Sequence, residues 1–132
     1  MAKNKYSAVI DLGSLALRLK IYQNSEDKSP REVESARSFL SFGAQIYRMG
    51  NVSSEQVTEI CEILNAFQTK LKEYKISDVI CVATSAFREA GNRDFIVEQV
   101  RLRTGLVVRV LDNAEERFFH NLAVKESQPD FS

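Results

Sequence analysis

The chain has 132 residues with 18 basic and 18 acidic side chains, so its formal net charge is zero, and 44% of its residues are hydrophobic. This length fits one domain with its own core. The balanced charge argues against binding nucleic acid through a broadly basic surface, and no run approaches the roughly 18 apolar residues of a membrane span. We expect a cytoplasmic protein with no signal peptide and with Cys61 and Cys81 reduced, since the two are not spaced as a metal-binding or redox pair.

The first part of the chain predicts three strands. Tyr6–Leu12 contains a short apolar run and is followed by Gly13 and Ser14, which mark a turn. Ala16–Tyr22 alternates between aliphatic and basic residues, which indicates a half-buried strand paired with the first in a hairpin. Arg31–Leu40 follows a polar loop and is interpreted as a third strand.

A long amphipathic helix follows. Ser53 and Gln56 have the spacing of a capping box. Apolar residues then recur every three or four positions, which predicts one buried helix face. This stripe consists of Val57, Ile60, Leu64, Phe67, Leu71 and Tyr74.

The last third of the chain alternates strands with helices. Asp78–Ala83 ends in an apolar run typical of a parallel strand buried on both faces. Asn92–Thr104 predicts a helix that stops at Gly105, and Leu106–Leu111 predicts another strand. A final helix would be capped by Asn113, with Glu116 as the box partner.

The predicted fold class is therefore α/β, with a mixed five-stranded sheet in the order β-β-β-α-β-α-β-α and helices packed on it. By analogy, this is the order of a ribonuclease H-like lobe, as in actin-like ATPases.

Three polar clusters directly follow strands of this sheet. Asp11–Ser14 follows the first strand, Thr84–Ser85 with Arg88 follows the fourth, and Asp112–Glu116 follows the fifth. Parallel strands would bring all three clusters to one edge, where open α/β sheets bind ligands. Each cluster also has a purely structural interpretation, respectively as a turn, a helix cap and a favourable charge at a helix start.

The residues around these clusters resemble one known family. Val9–Ser14, Val82–Asp94 and Gly105–Arg117 are similar, in this order, to the N-terminal segments of the exopolyphosphatase and guanosine-pentaphosphate phosphatase (Ppx/GppA) family. The resemblance runs from about Ser7 to Val124. Its second segment is long and specific, and it argues against a sugar kinase or chaperone of the same fold.

The resemblance implies an actin-like fold and removal of the terminal phosphate from inorganic polyphosphate or guanosine pentaphosphate, with Mg²⁺ as the cofactor. It also implies a role for each matching residue. Asp11 would hold the metal, Gly13 and Ser14 would bound the phosphate loop, Thr84, Ser85 and Arg88 would contact phosphate, and Glu115 would activate water as the catalytic base.

The chain departs from the family pattern at three places. Leu15 and Ala16 stand where the family usually has Asn-Ser, and Phe39–Gly43 differs from the usual segment after the third strand. The usual Ser-Gly before the acidic pair is replaced by Leu111-Asp112 or Asp112-Asn113. The alternative to an enzyme is therefore a degenerate lobe of the same family that binds phosphate or nucleotide without catalysis or acts in regulation.

The resemblance covers only one lobe. We expect residues 1–126 to form the N-terminal lobe and residues 127–132 to begin a linker to a second lobe, which would carry the family's second phosphate loop. The chain alone would then be inactive, its main partner being that second lobe. Dimerisation through the surface that normally meets this partner stays open, and we expect neither a membrane nor a nucleic-acid partner.

Overall fold

The computed structural model describes residues 5–13, 15–41, 51–84, 90–115 and 117–118. Its elements follow the predicted order, and residues 113–115 and 117–118 after the last strand are again helical. The elements are β1 (Tyr6–Leu12), β2 (Ala16–Gln23), β3 (Arg31–Phe39), α1 (Ser54–Glu73), β4 (Val79–Ala83), α2 (Arg93–Thr104) and β5 (Val108–Val110). The predicted boundary at residue 126 lies outside the described residues.

The five strands form one mixed sheet in the order β3-β2-β1-β4-β5. β2 pairs antiparallel with both β1 and β3, whereas β1, β4 and β5 run parallel. The last residues of the three parallel strands, Leu12, Ala83 and Val110, are therefore register partners. We call this end of the sheet the carboxyl edge.

One face of the sheet forms the core with both helices. Alternate residues of the central strands, such as Ile10, Leu19 and Cys81, point to this helix face and are buried. The predicted stripe of α1 packs on it, because Val57, Ile60, Leu64, Phe67 and Leu71 are all buried, with Cys61 beside them. The intervening strand residues lie on the opposite face, which we call the outer face.

The two ends of α1 have different caps. Ser53 and Gln56 form the predicted capping box, with hydrogen bonds of 3.1 Å from the Gln56 amide to Ser53 Oγ and 2.7 Å from the Ser53 amide to Gln56 Oε1. At the other end, the amides of Lys75 and Ile76 donate to carbonyls in the last turn of the helix. This loop places Lys75 at a φ of 58°, a conformation that favours glycine.

α2 is bounded by Asn92 and Gly105. Gly105 ends the helix as predicted, at a φ of 80°, and its amide donates to the Arg101 carbonyl. Asn92 precedes the helix, and its side chain does not cap it. Instead the side chain accepts from the Val52 amide (3.0 Å) and donates to the Val52 carbonyl (2.7 Å), joining α2 to the segment before α1.

Two expectations about the parallel strands were wrong in detail. β5 spans only Val108–Val110, whereas Leu106–Leu111 was predicted. The Leu106 amide donates to the Thr104 hydroxyl, and this bond keeps Leu106 in the turn after α2. β4 is not buried on both faces along its length, since Ile80 on the outer face is 46% exposed. Within the described ranges, no helix combines the length and apolarity needed to cross a membrane.

Candidate phosphate-binding site

The carboxyl edge gathers the ends of the three parallel strands. The Thr84 amide donates to the Leu12 carbonyl (3.3 Å), and the Leu111 amide donates to the Ala83 carbonyl (2.9 Å). These two bonds extend the β1–β4 and β4–β5 pairings by one residue past the ends of the strands. The residues that follow β1, β4 and β5 therefore lie side by side, as expected from the topology.

Gly13 occupies the turn between β1 and β2. Its amide donates to the Ala16 carbonyl (3.1 Å), and a Cβ at this position would lie only 2.9 Å from the same oxygen. Among the described residues, Lys75 and Gly105 have a positive φ, and Gly13 does not. Glycine is therefore required here for space, and not for a left-handed conformation as is common in hairpin turns.

Asp11 lies on the outer face, one residue before the end of β1. Its register partners are Arg18 on β2 and Val82 on β4, and Val82 is in turn the partner of Arg109 on β5. The half-buried Asp11 also influences the thiol of Cys81. Burial, with a contribution from the Asp11 charge, raises the pKa of this thiol to about 12.

Glu115 is held by two neighbours at the start of the last helical segment. Its Oε2 accepts from the Arg109 guanidinium, and its Oε1 accepts from the Asp112 amide (3.2 Å). Since Arg109 lies on the outer face two strands from Asp11, its Cα is about 10 Å from that of Asp11. Asp11 and the Arg109–Glu115 ion pair therefore belong to the same side of the sheet.

The cap of this helical segment corrects the sequence-based expectation by one residue. The Glu115 amide donates to Asp112 Oδ1 (2.8 Å), so Asp112 and Glu115 form a reciprocal capping box. Asn113 was expected to be the cap, with Glu116 as its partner. Asp112 and Glu115 have the same spacing in the sequence as Asn113 and Glu116. The sequence pattern therefore did not distinguish these two possible capping boxes.

The structure brings Asp11, Gly13, Thr84 and Glu115 to one edge. The other proposed site residues, Ser14, Ser85 and Arg88, lie outside the described residues, as does Glu116. In the described ranges, no group of three histidine, cysteine, aspartate or glutamate side chains could hold a metal ion.

The ion pair between Glu115 and Arg109 was not predicted from the sequence, because it depends on the position at which the chain leaves β5. The position of Arg18 beside Asp11 was not predicted either. Alternation within β2 does put Arg18 on the face opposite the aliphatic residues, but only the strand register shows which residue stands next to it.

The sequence of the chain is similar to those of known proteins. Residues 21–130 match the Ppx/GppA phosphatase family. Exopolyphosphatase 1 of Mycobacterium leprae is 26% identical over 117 residues, covering 89% of this chain and 34% of the relative. The chain thus spans about a third of the length of this relative.

Solved structures of the same family superpose closely on this chain. The Aquifex aeolicus member of the Ppx/GppA family has a TM-score of 0.81 and 30% identity, covering 92% of this chain and 39% of its own. An exopolyphosphatase from Cytophaga hutchinsonii has a TM-score of 0.77 and 25% identity, covering 84% of this chain and 35% of its own. The predicted actin-like fold is thereby confirmed, and the chain belongs to the Ppx/GppA phosphatase family.

Proposed function

We propose that this chain forms one side of the active-site cleft of a phosphohydrolase that removes the terminal phosphate from inorganic polyphosphate or guanosine pentaphosphate. The observation that carries the proposal is the common position of Asp11, Gly13, Thr84 and Glu115 at the carboxyl edge. Phosphoryl transfer depends mainly on positioning and on neutralising charge, which such an edge can provide.

The turn after β1 would approach the phosphate chain. The Gly13 amide already bonds Ala16, so the donors of this loop would be the amide and hydroxyl of Ser14, while the missing Cβ of Gly13 keeps the turn tight. Thr84 would donate its hydroxyl from the end of β4. Ser85 and Arg88 would add donors, and the Arg88 guanidinium would pair with phosphate oxygens.

Asp11 suits a magnesium ion shared with the substrate. Mg²⁺ is usually held by one or two carboxylates together with substrate phosphates and water, and Asp11 would supply one such carboxylate. When bound, the ion would neutralise charge on the phosphate oxygens. Asp11 would fix its position relative to the loop, partly shielded from solvent because the side chain is half-buried.

Glu115 would act as the base that orients the attacking water. An ionised carboxylate has about four lone-pair sites, and the Asp112 amide and Arg109 occupy two of them in this structure. The remaining sites can accept a proton from water. The same contacts fix the orientation of the carboxylate, which favours a positioned base.

The cleft needs a second side. The chain covers 39% of the Aquifex structure and 34% of the mycobacterial relative. We propose that the remaining phosphate donors come from a second lobe of the same enzyme. A site open on one side leaves water in contact with the reacting groups and weakens their electrostatic effect.

The proposal is tested by measuring phosphate release with Mg²⁺ from polyphosphate and from guanosine pentaphosphate. We expect no release by this chain alone and release by a protein in which the chain continues through the second lobe. If that longer protein is folded and inactive on both substrates, the chain is instead a non-catalytic phosphate-binding lobe. The apolar and 56% exposed Leu15 beside the loop favours this second candidate.

The role of Glu115 is tested in the active longer protein. Glu115→Gln should lower kcat by about 10²–10⁴-fold, as expected for loss of a general base, with little change in KM. Glu116→Gln is the matched control, because it removes the same charge one position away. If only Glu116→Gln has this effect, the base is Glu116, and Glu115 serves only to cap the helix.

A further inference from the structure

A cleft lies at the end of the sheet opposite the carboxyl edge, where the start of β1 meets the C-terminal end of α1. Its volume is about 420 Å³, and its lining residues are Lys5, Tyr6, Glu73, Tyr74, Lys75 and Ser77. β1 spans seven residues, so the cleft is roughly 20 Å from the turn at Gly13. The cleft and the candidate phosphate-binding site are therefore separate surfaces.

Lys75 occupies a position in this cleft at which glycine would be expected. Its φ is 58°, its amide donates to the Lys72 carbonyl, and the Ile76 amide donates to the Leu71 carbonyl. Helices that end in this geometry usually have glycine at the left-handed position, because any Cβ is crowded there. Other residues held in such a conformation cluster at functional sites. The lysine side chain therefore needs an explanation other than stability.

The side chains of the cleft offer more hydrogen-bond donors than acceptors. Lys5 and Lys75 supply ammonium groups, and the hydroxyls of Tyr6 and Ser77 can also donate. None of these four groups has a hydrogen bond or an ion pair with another described residue. The Lys5 ammonium instead lies 5.5 Å from the centroid of the Tyr6 ring. Glu73 is the single carboxylate among the lining residues, so two positive charges face one negative charge.

The C-terminal end of α1 does not reverse this balance of charge. Carbonyl groups at a helix end carry partial negative charge, which would repel an anion. Here the carbonyls of Lys70, Leu71 and Lys72 already accept hydrogen bonds from the amides that follow the helix. The two ammonium groups therefore determine the sign of the charge in the cleft.

The aromatic wall of the cleft is held in place by contacts outside it. The Tyr74 hydroxyl donates to Glu34 at 2.7 Å, and the rings of Tyr74 and Tyr6 meet edge to face. A surface that is already ordered loses less conformational freedom when a ligand binds. This wall therefore provides a fixed surface beside the two flexible lysines.

We propose that this cleft binds a compact anion with two or more negative charges, such as pyrophosphate. The ammonium groups of Lys5 and Lys75 would pair with its oxygens from two different segments of the chain, and the hydroxyls of Tyr6 and Ser77 would donate to the same oxygens. An anion with a single charge would gain little at so exposed a surface. This site would account for a lysine at a position that favours glycine, and it does not depend on the proposed function.

The test is a titration of the ¹⁵N-labelled chain with inorganic pyrophosphate in the absence of Mg²⁺, followed by amide chemical shifts. We expect saturable shifts at Lys75, Ile76 and Ser77. The amides of Gly13 and Thr84 report separately on the carboxyl edge. A parallel titration with sodium chloride at the same ionic strength should leave the shifts near Lys75 unchanged.

Four variants test the contribution of each charge. Lys75→Gly and Lys5→Gln should each weaken pyrophosphate binding about fivefold, as expected for loss of one exposed ion pair. Glu73→Gln removes the opposing carboxylate and should strengthen binding. Lys72→Gln is the matched control, because it removes an exposed charge near the end of α1 outside the cleft, and it should have almost no effect.

Several results would overturn the proposal. One is the lack of any shift near Lys75 at millimolar pyrophosphate. Shifts confined to Gly13 and Thr84 would also overturn it and would instead support the phosphate site at the carboxyl edge. Unchanged binding in Lys75→Gly, a variant whose fold is checked by its amide spectrum, would show that the lysine does not contact the anion. Equal shifts with sodium chloride would show a general effect of salt.

Discussion

At the residue scale, Asn92 lies in the segment Val82–Asp94 that resembles the family, yet its side chain has a structural role. It exchanges two hydrogen bonds with the backbone of Val52, 40 residues earlier in the chain. We expect Asn92→Ala to lower the free energy of unfolding by about 1–3 kcal/mol, because both backbone groups of Val52 lose their partner. Urea denaturation followed by circular dichroism measures this change.

The controls for this prediction lie close by. Asn51→Ala removes an exposed amide next to Val52 and should have almost no effect. Asn92→Asp keeps the acceptor for the Val52 amide, loses the donor to its carbonyl and should also destabilise the protein. A stable Asn92→Ala variant with a normal urea midpoint would contradict the proposed role of the amide.

The sequence predicts some site residues better than others, for a physical reason. Asp11, Gly13 and Thr84 could be assigned to one edge because each lies near the end of a strand whose apolar pattern is clear or directly after it. The role of Glu115 in the cap could not be predicted, because the run Asp-Asn-Ala-Glu-Glu contains two possible boxes. Only the position at which the backbone leaves β5 decides between them.

At the scale of elements, the C-terminal end of α1 contains avoidable strain. Lys75 has a φ of 58°, which brings Cβ close to its own backbone in any residue other than glycine. Lys75→Gly should therefore stabilise the protein by about 0.5–1 kcal/mol. Differential scanning calorimetry should show a Tm higher by about 2–4 °C for a chain of this size.

The matched control is Lys72→Gly, in the last turn of the same helix. Both lysines are exposed, but Lys72 has helical geometry, so this change should destabilise the protein by about 1 kcal/mol. If the two glycine variants shift the Tm in the same direction, backbone strain at Lys75 is not the cause.

The elements themselves differ in how well they could be predicted. α1 was predicted almost to the residue because its six apolar positions and its capping box agree. β5 was predicted too long because Leu106 and Val107 have strand propensity, yet the hydrogen bond from Leu106 to Thr104 holds the chain in a turn. Local propensity is outweighed here by a contact with the preceding helix.

At the scale of the whole molecule, a polar cluster ties the edge strand to the main helix. Glu34 on β3 accepts from Lys70 Nζ and from the Tyr74 hydroxyl, each at 2.7 Å. The rings of Tyr74 and Tyr6 meet edge to face with centroids 5.0 Å apart. The hydrogen bonds to Lys70 and then Tyr74 lower the pKa of Glu34, and the bonds to Glu34 raise the pKa of Lys70 and of Tyr74.

These shifts predict a stability that falls at both ends of the pH range. Glu34 contributes above its ordinary pKa, and this contribution is lost as the pH falls below about 4, through the lowered value. Lys70 and Tyr74 contribute below their ordinary pKa values, and these contributions are lost as the pH rises above about 10. Urea midpoints measured from pH 3 to 11 should therefore decline on both sides.

The variant Glu34→Gln tests whether this cluster causes the decline. It should lower the midpoint at neutral pH and reduce the slope on both sides. Glu62→Gln, at an exposed position of α1, serves as the control for loss of one negative charge. A pH profile of Glu34→Gln parallel to that of the wild type would show that other groups control the pH dependence.

The position of β1 has a consequence for how the chain folds. β1 comes first in the sequence but lies in the middle of the sheet, where Ala8 pairs with Val79, 71 residues later. During synthesis, the antiparallel meander can form early from local contacts, whereas the other edge of β1 has no strand to pair with until β4 emerges. Since long-range parallel pairing is slow, the backbone groups of Ala8, Ile10 and Leu12, which face β4 in the sheet, stay open to pairing with other chains throughout this interval.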